Sequence, residues 1–301
     1  MAPNPTIHSL HDLKTGTWQY IVADPSTSTA VVIDPVLDYD AATQTVTTTT
    51  ADGILALIAD KGYTICHILE THVHADHLTA ASYLAHRLSQ KQGARPPIGI
   101  GKRITQVQKL FGKRFGIPAE EYEGVFDRLW EDDETFRIGE LTAMAMHLPG
   151  HTPDHLGYKI GNNLDNVFCG DSIFHADIGT ARCDFPNGSA QSLYNSTRKL
   201  LSLPDHVKIW TGHDYPHSDR KEAVPWLTVR DHRDRNRHVN DTVTEAQFLA
   251  LRQERDATLC EPKLLNPSLQ INIRAGRLPR PTEESGKRLI HLPLQVEREA
   301  W

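Results

Sequence analysis

An α/β sandwich in one large domain, with two sheets face to face and helices outside them, is the fold this sequence predicts. Three observations predict it. Strand-like and helix-like runs are interleaved over most of the 301 residues, ligand-type polar residues gather where the apolar strand runs end, and no stretch has the composition of a linker except just before Lys221. The expected division is a main domain over residues 1–220 and a charged helical extension with an irregular tail over 221–301, packed on the same domain.

Each element has a local cause. "TWQYIVAD" and "STAVVIDP" are β-branched and aromatic runs on either side of a Pro/Ser/Thr turn, an opening hairpin. "DGILALIADKG" has apolar residues at helical spacing and a glycine stop. "YTICHILETH" is a short apolar strand running straight into "THVHADHL". "LTAASYLAHRLSQ" is an amphipathic helix closing at Gly93, "PPIGIG" a short strand and "ITQVQKLFGKRFG" another helix. "ETFRIGELTAMAMHLPGHT", "HLGYKIG" and "NVFCGDSIF" read as strands separated by glycine or asparagine turns. "GSAQSLYNSTRKLLSLP" is a helix starting near Gly188 or Ser189, and "HVKIWTGHDY" a strand with a polar end. Lys221 to Asp256 is helical and highly charged, and the chain beyond Glu261 is proline-rich and irregular.

Composition narrows the function. A hydrophobic fraction of 39% and a charged fraction of 23% describe an ordinary globular chain. With a net charge of -6 and no basic stripe, nucleic acid is not an expected partner; "RDHRDRNRHVN" is interrupted by aspartates and reads as a solvated helix face. Cys66, Cys169, Cys183 and Cys260 form no CxxC pair, which fits a reducing compartment. The N-terminus lacks the pattern of a secretory signal, and no apolar run approaches the roughly 20 residues of a membrane span. A cytoplasmic protein with no membrane partner is expected.

Four stretches carry chemistry: "ETHVHADHL", "LPGHTPDHL", "VFCGDSIF" and "WTGHDYP". In a strand, residues i and i+2 point the same way, so His72 and His74 are expected to share a face and reach one centre. Asp76 and His77 then begin the turn into the next helix. His151, Asp171 and His213 each follow a glycine at a strand end. A single histidine is ordinarily a surface or core residue. Packing asks for no histidine or aspartate at three such ends beside a compact HxHxDH, so together they predict a metal site.

"THVHADH", "PGHT", "GD" and "GHDY", in that order over Trp18 to Tyr215, resemble the metallo-β-lactamase superfamily, which implies an αββα sandwich. The superfamily hosts hydrolases, nucleases and oxygenases, so the fold does not choose the reaction. A dinuclear hydrolase of this kind, with glyoxalase II as the nearest example, implies two Zn(II). His72, His74 and His151 would hold one; Asp76, His77 and His213 the other; Asp171 would bridge. All seven residues are present. "GDSIFHADIGTARCDF" instead resembles the persulfide dioxygenases, whose Arg-x-Asp-Phe segment follows the metal aspartate; here it is Arg182, Cys183, Asp184 and Phe185. Glyoxalase II has a lysine and tyrosine region there, which "ARCDF" does not resemble.

The dioxygenase resemblance implies one Fe(II) per chain, held by His72, His151 and Asp171, a facial triad with open positions for substrate and oxygen. His74, Asp76, His77 and His213 then orient ligands and tune the iron. The implied substrates are a small persulfide, such as glutathione persulfide, and O2, and the products sulfite and thiol. Arg182 is assigned to a substrate carboxylate or the developing oxyanion, with a salt bridge to Asp184 as its structural alternative. Tyr215 is assigned a hydrogen bond near the iron, with space-filling as its alternative, and His213 a place among the catalytic residues. Where Cys183 stands, family members have threonine, and its role is left open. Family likeness also implies a homodimer.

Overall fold

The structure, a computed structural model, describes residues 4–216, 220–294 and 296. Strand β1 (Thr6–Asp12) precedes the expected hairpin β2 (Thr17–Ala23) and β3 (Thr29–Ile33), followed by β4 (Val36–Asp40) and β5 (Thr45–Thr47). Helix α1 (Thr49–Lys61) leads to β6 (Thr64–Leu69), the two-residue β7 (Leu78–Thr79), α2 (Ala81–Gln92), β8 (Ile98–Gly101), α3 (Ile104–Phe115) and β9 (Arg128–Trp130). The second half runs β10 (Thr135–Ile138), β11 (Leu141–His147), β12 (Leu156–Ile160), β13 (Asn166–Phe168), α4 (Ala190–Leu201), β14 (Lys208–Trp210), β15 (Trp226–Thr228), α5 (Val229–Arg235), α6 (Glu245–Asp256) and α7 (Leu265–Asn272).

Among the described residues the strands form two six-stranded sheets, β1-β2-β3-β6-β8-β9 and β10-β11-β12-β13-β14-β15, and a small sheet β5-β4-β7. Side chains of β2 and β3 alternate between two cores, as the period of two requires. Tyr20, Val22, Val31 and Ile33 meet Ala143, Tyr158, Phe168 and Trp210 between the large sheets. Ile21, Ala23, Ala30 and Val32 meet α1, α2, α3 and α7 on the outer face. A third core joins the second sheet to α4 and α6. The αββα sandwich is thus built from strands buried on both faces.

The C-terminal tail differs from expectation. Residues 265–272 form a helix whose Leu265, Leu269 and Ile271, followed by Ile273, enter the core shared with α2 and β6. Pro267 sits in the first turn, where the missing N–H has no intrahelical acceptor to lose. Proline content hid a short buried helix. Strand β1 was also unread, because "TIHSLHD" has polar residues on an edge that pairs only with β2.

The sheets are tied at one end by Asp24, in the β2–β3 turn. Its buried carboxylate accepts from Ser26 N (2.9 Å), Ser26 Oγ (2.7 Å), Thr27 Oγ1 (2.7 Å) and, across the sandwich, Glu140 N (2.8 Å). Gly139 permits this contact: its φ is +57°, and a Cβ there would lie 2.1 Å from Thr27 Oγ1. Burial raises the Asp24 pKa, but these hydrogen bonds more than reverse that, holding it at about 2. Asp24→Ala is expected to destabilise the fold by about 1–3 kcal/mol, the penalty of orphaned buried donors. A urea titration measures it. With a folded pKa below the unfolded value of about 3.9, the wild-type advantage is complete above that pH and vanishes as pH falls through about 2.

Candidate metal centre

After Leu69 the chain leaves the sheet, and residues 70–77 run as an irregular buried loop; the shared strand face expected for His72 and His74 is absent. Side chains satisfy backbone groups that a strand would have paired. Asp34 accepts from Thr71 N and Thr71 Oγ1, both at 2.7 Å, and Asp154 from Val73 N at 3.0 Å. Asn272, at the end of α7, donates through Nδ2 to the main-chain oxygens of His74 and His77 and accepts from Thr79 N, each at 2.8 Å.

The loop brings two trios together. In the first, His72, His151 and Asp171 each place a ligand atom within 4.8 Å of the others. Asp171 Oδ2 lies 3.9 Å from His72 Nε2 and 3.6 Å from His151 Nε2. Thr71 gives its hydroxyl proton to Asp34, so its oxygen accepts from His72 Nδ1 at 3.0 Å. His151 Nδ1 donates to the Arg182 main-chain oxygen at 2.8 Å. Both tautomers therefore aim the Nε2 lone pair at Asp171. Burial, with neighbouring His74, His155 and His151, holds His72 well below the usual imidazole range, so it stays neutral, as a ligand must. His155, stacked on His72, accepts the Asp171 amide at 2.9 Å; burial pushes its own pKa down to about 3.

The second trio is His74, Asp76 and His77. His74 Nε2 lies 3.1 Å from Asp34 Oδ1 and 3.4 Å from Glu70 Oε2, in a third, fully buried group capable of holding a cation. Burial opposes charge on His74, yet Asp34 and Glu70 outweigh it and raise its pKa well above normal. His213 joins neither trio. Its Nδ1 meets Asp171 Oδ1 and its Nε2 meets Asp76 Oδ2, both at 2.7 Å, and the two carboxylates raise its pKa against burial. The expected second-ion set of Asp76, His77 and His213 is therefore only partly assembled: His74 takes the place of His213.

The donor set fits a metal ion. His72 Nε2, His74 Nδ1 and His77 Nε2 are buried nitrogens without hydrogen-bond partners, which proteins rarely tolerate without a ligand. The profile of the metallo-beta-lactamase superfamily matches residues 14–213. The chain belongs to this superfamily. It is 43% identical to a protein of Burkholderia pseudomallei named "Probable metallo-hydrolase", over 97% of this chain and 99% of that one. It is 41% identical to "Glyoxylase B2" of Dictyostelium discoideum, over 98% of both. To the mouse "Persulfide dioxygenase ETHE1, mitochondrial" it is 25% identical, over 90% and 88%. The crystal structure of ETHE1 from Myxococcus xanthus superposes with a TM-score of 0.71 at 26% identity, covering 90% of this chain and all (100%) of that one.

Beside the superfamily's metal loop lies a cavity of about 360 Å³, lined by His151, Asp171, His213, Tyr215, Arg182 and Arg255 among others. Tyr215 is 45% exposed and stacks on His213 with ring centroids 5.8 Å apart. The Arg182 fork, expected at substrate, is filled from within: Nε and Nη2 bind Asp184, and Nη1 donates to the Cys260 main-chain oxygen at 2.9 Å. The salt-bridge alternative is the one present, and the main-chain oxygen of Arg182 is what orients His151. Cys183 is buried, its amide held by Asp256 at 2.9 Å, and burial pushes its thiol up to about 12, so it is no nucleophile at neutral pH.

Asp34, Glu70, Asp154, His155 and Asn272 were not singled out in the sequence. Asp154 and His155 lie inside "LPGHTPDHL", and Asp34 precedes Pro35 at a strand end with a φ of +49°, a turn signal. Asn272 has no local signal. No helix among the described residues is long and apolar enough to cross a membrane.

Proposed function

We propose that the chain is a mononuclear Fe(II) persulfide dioxygenase that oxidises a small persulfide, of the glutathione persulfide type, to sulfite and thiol. The observation that carries this reading is the separate convergence of His72, His151 and Asp171, two histidines and one carboxylate. The surroundings fit the same reading. His74 is held as a cation between Asp34 and Glu70, and His213 spends both ring nitrogens on Asp171 and Asp76. Those roles favour one ion in the first trio over two ions sharing seven ligands.

When bound, iron supplies the redox chemistry that lets dioxygen take electrons from the outer sulfur. The balanced reaction is RSSH + O2 + H2O → RSH + sulfite + 2 H+, in which the outer sulfur gives up four electrons, dioxygen accepts them, and the S–S bond breaks. The protein's part is positional. His213 holds Asp171 Oδ1 and leaves Oδ2 facing the two histidines. Arg255 brings a positive charge to the cavity wall, which favours an anionic persulfide and a carboxylate-bearing thiol. The Arg182–Asp184 pair fixes the wall beside His151.

A second reading, a binuclear zinc thioester hydrolase of glyoxalase II type, is favoured by the His74, Asp76 and His77 trio and by the names of the relatives at 41–43% identity. Oxygen uptake by anaerobically purified protein, on adding glutathione persulfide, separates the two. Stoichiometric O2 consumption with sulfite release is expected. Cleavage of a glutathione thioester by a two-zinc protein that consumes no oxygen overturns the proposal.

A further inference from the structure

We infer that Asn272 is a positioning residue for the metal centre, supplied by the C-terminal helix from outside the matched span of residues 14–213. The inference holds whichever of the two reactions the centre performs. Asn272 is 2% exposed, and the core packing of Leu265, Leu269 and Ile271 fixes it relative to the sheet. Its amide is spent wholly on the loop. Both Nδ2 protons go to the main-chain oxygens of His74 and His77, and Oδ1 takes the Thr79 amide, all at 2.8 Å. Gripping carbonyls on either side of Ala75 and Asp76 sets the curvature of the chain that presents the Asp76 carboxylate.

From Asp76 the effect passes through short contacts. Asp76 Oδ2 lies 2.7 Å from His213 Nε2, and His213 Nδ1 lies 2.7 Å from Asp171 Oδ1. Asn272 thus reaches the first trio through the loop backbone, Asp76 and His213, although it touches none of its members. The other supports are independent of it: Asp34 and Asp154 hold the backbone on either side of His72, the Arg182 oxygen orients His151, and His155 binds the Asp171 amide. The chain after Asn272 is fitted to the same place. Gly276 has φ +79°, and a Cβ there would lie 2.8 Å from the Thr79 main-chain oxygen.

No other side chain reproduces these bonds. Aspartate loses both donors and sets a charge against two carbonyls, glutamine is a methylene too long, and alanine orphans three buried groups. The test loads Co(II), whose visible spectrum reports coordination, into Asn272→Asp, Asn272→Ser and Leu269→Ala. Leu269→Ala loosens the same helix but keeps the amide. Asn272→Asp is expected to weaken Co(II) binding about 10–100-fold and to shift its spectrum. Asn272→Ser, with one donor left, falls between it and wild type and decides the matter if the aspartate variant does not fold. Leu269→Ala lowers Tm but weakens Co(II) binding less than Asn272→Ser does, because the amide is still there to hold the loop. Affinity within twofold of wild type in the Asn272 variants, or an equal loss in Leu269→Ala, overturns the inference.

Discussion

Asp171→Ala is expected to leave a folded protein that retains no metal and whose turnover falls by more than about 100-fold, the upper end of what losing a mere supporting partner costs. Asp171 is the only carboxylate in the first trio, and its Oδ2 faces both His72 and His151. Its other oxygen holds His213 Nδ1, so the alanine variant also leaves the buried His213 with Asp76 as its sole carboxylate partner. The fold survives because the His155–Asp171 bond uses the backbone amide, which alanine keeps. Metal analysis after gel filtration against a chelator reads the effect. Full metal retention in Asp171→Ala contradicts the assignment of this residue as a ligand under either reaction.

Asp34→Ala is expected to be the most destabilising single change at the site, by about 3–5 kcal/mol, because it removes a partner from a buried charge. Asp34 accepts two hydrogen bonds from Thr71 and lies 3.1 Å from His74, so one substitution releases the start of the metal loop and uncovers the His74 imidazolium. Denaturant titration of metal-free protein measures the loss. The His74 pKa is raised on folding, so the stability this contact gives is fully present below the unfolded value of about 6.5 and is lost as pH rises through the folded value. The gap between wild type and variant accordingly narrows in alkaline buffer. A gap independent of pH means that Asp34 acts through Thr71 alone.

Much of this was legible in the sequence because it rests on local signals. The β2–β3 hairpin, α1 with its left-handed Gly62, and α2 with its left-handed Gly93 follow from alternation, helical spacing and glycine stops. The ligand residues were legible because each stands out against an apolar strand that needs none. What escaped depends on contacts between distant segments. Whether "ETHVH" stays a strand is decided by Asp34, Asp154 and Asn272, which supply partners from three other parts of the chain. The pairing of Arg182 with Asp184 was foreseen only as the alternative, since a sequence shows which charges are near but not which way a fork turns. Helix α7 was hidden by Pro267 and the proline-rich chain around it, although its Leu269 and Ile271 are among the most deeply buried residues.

The proposed function requires one ion in the His72, His151 and Asp171 trio. Anomalous diffraction at the iron edge, from crystals of anaerobically iron-loaded protein, tests it most directly. One peak per chain is expected, bonded to those three residues, with His77 and His213 outside bonding distance. Two peaks, the second bonded to His77 and His213, contradict it.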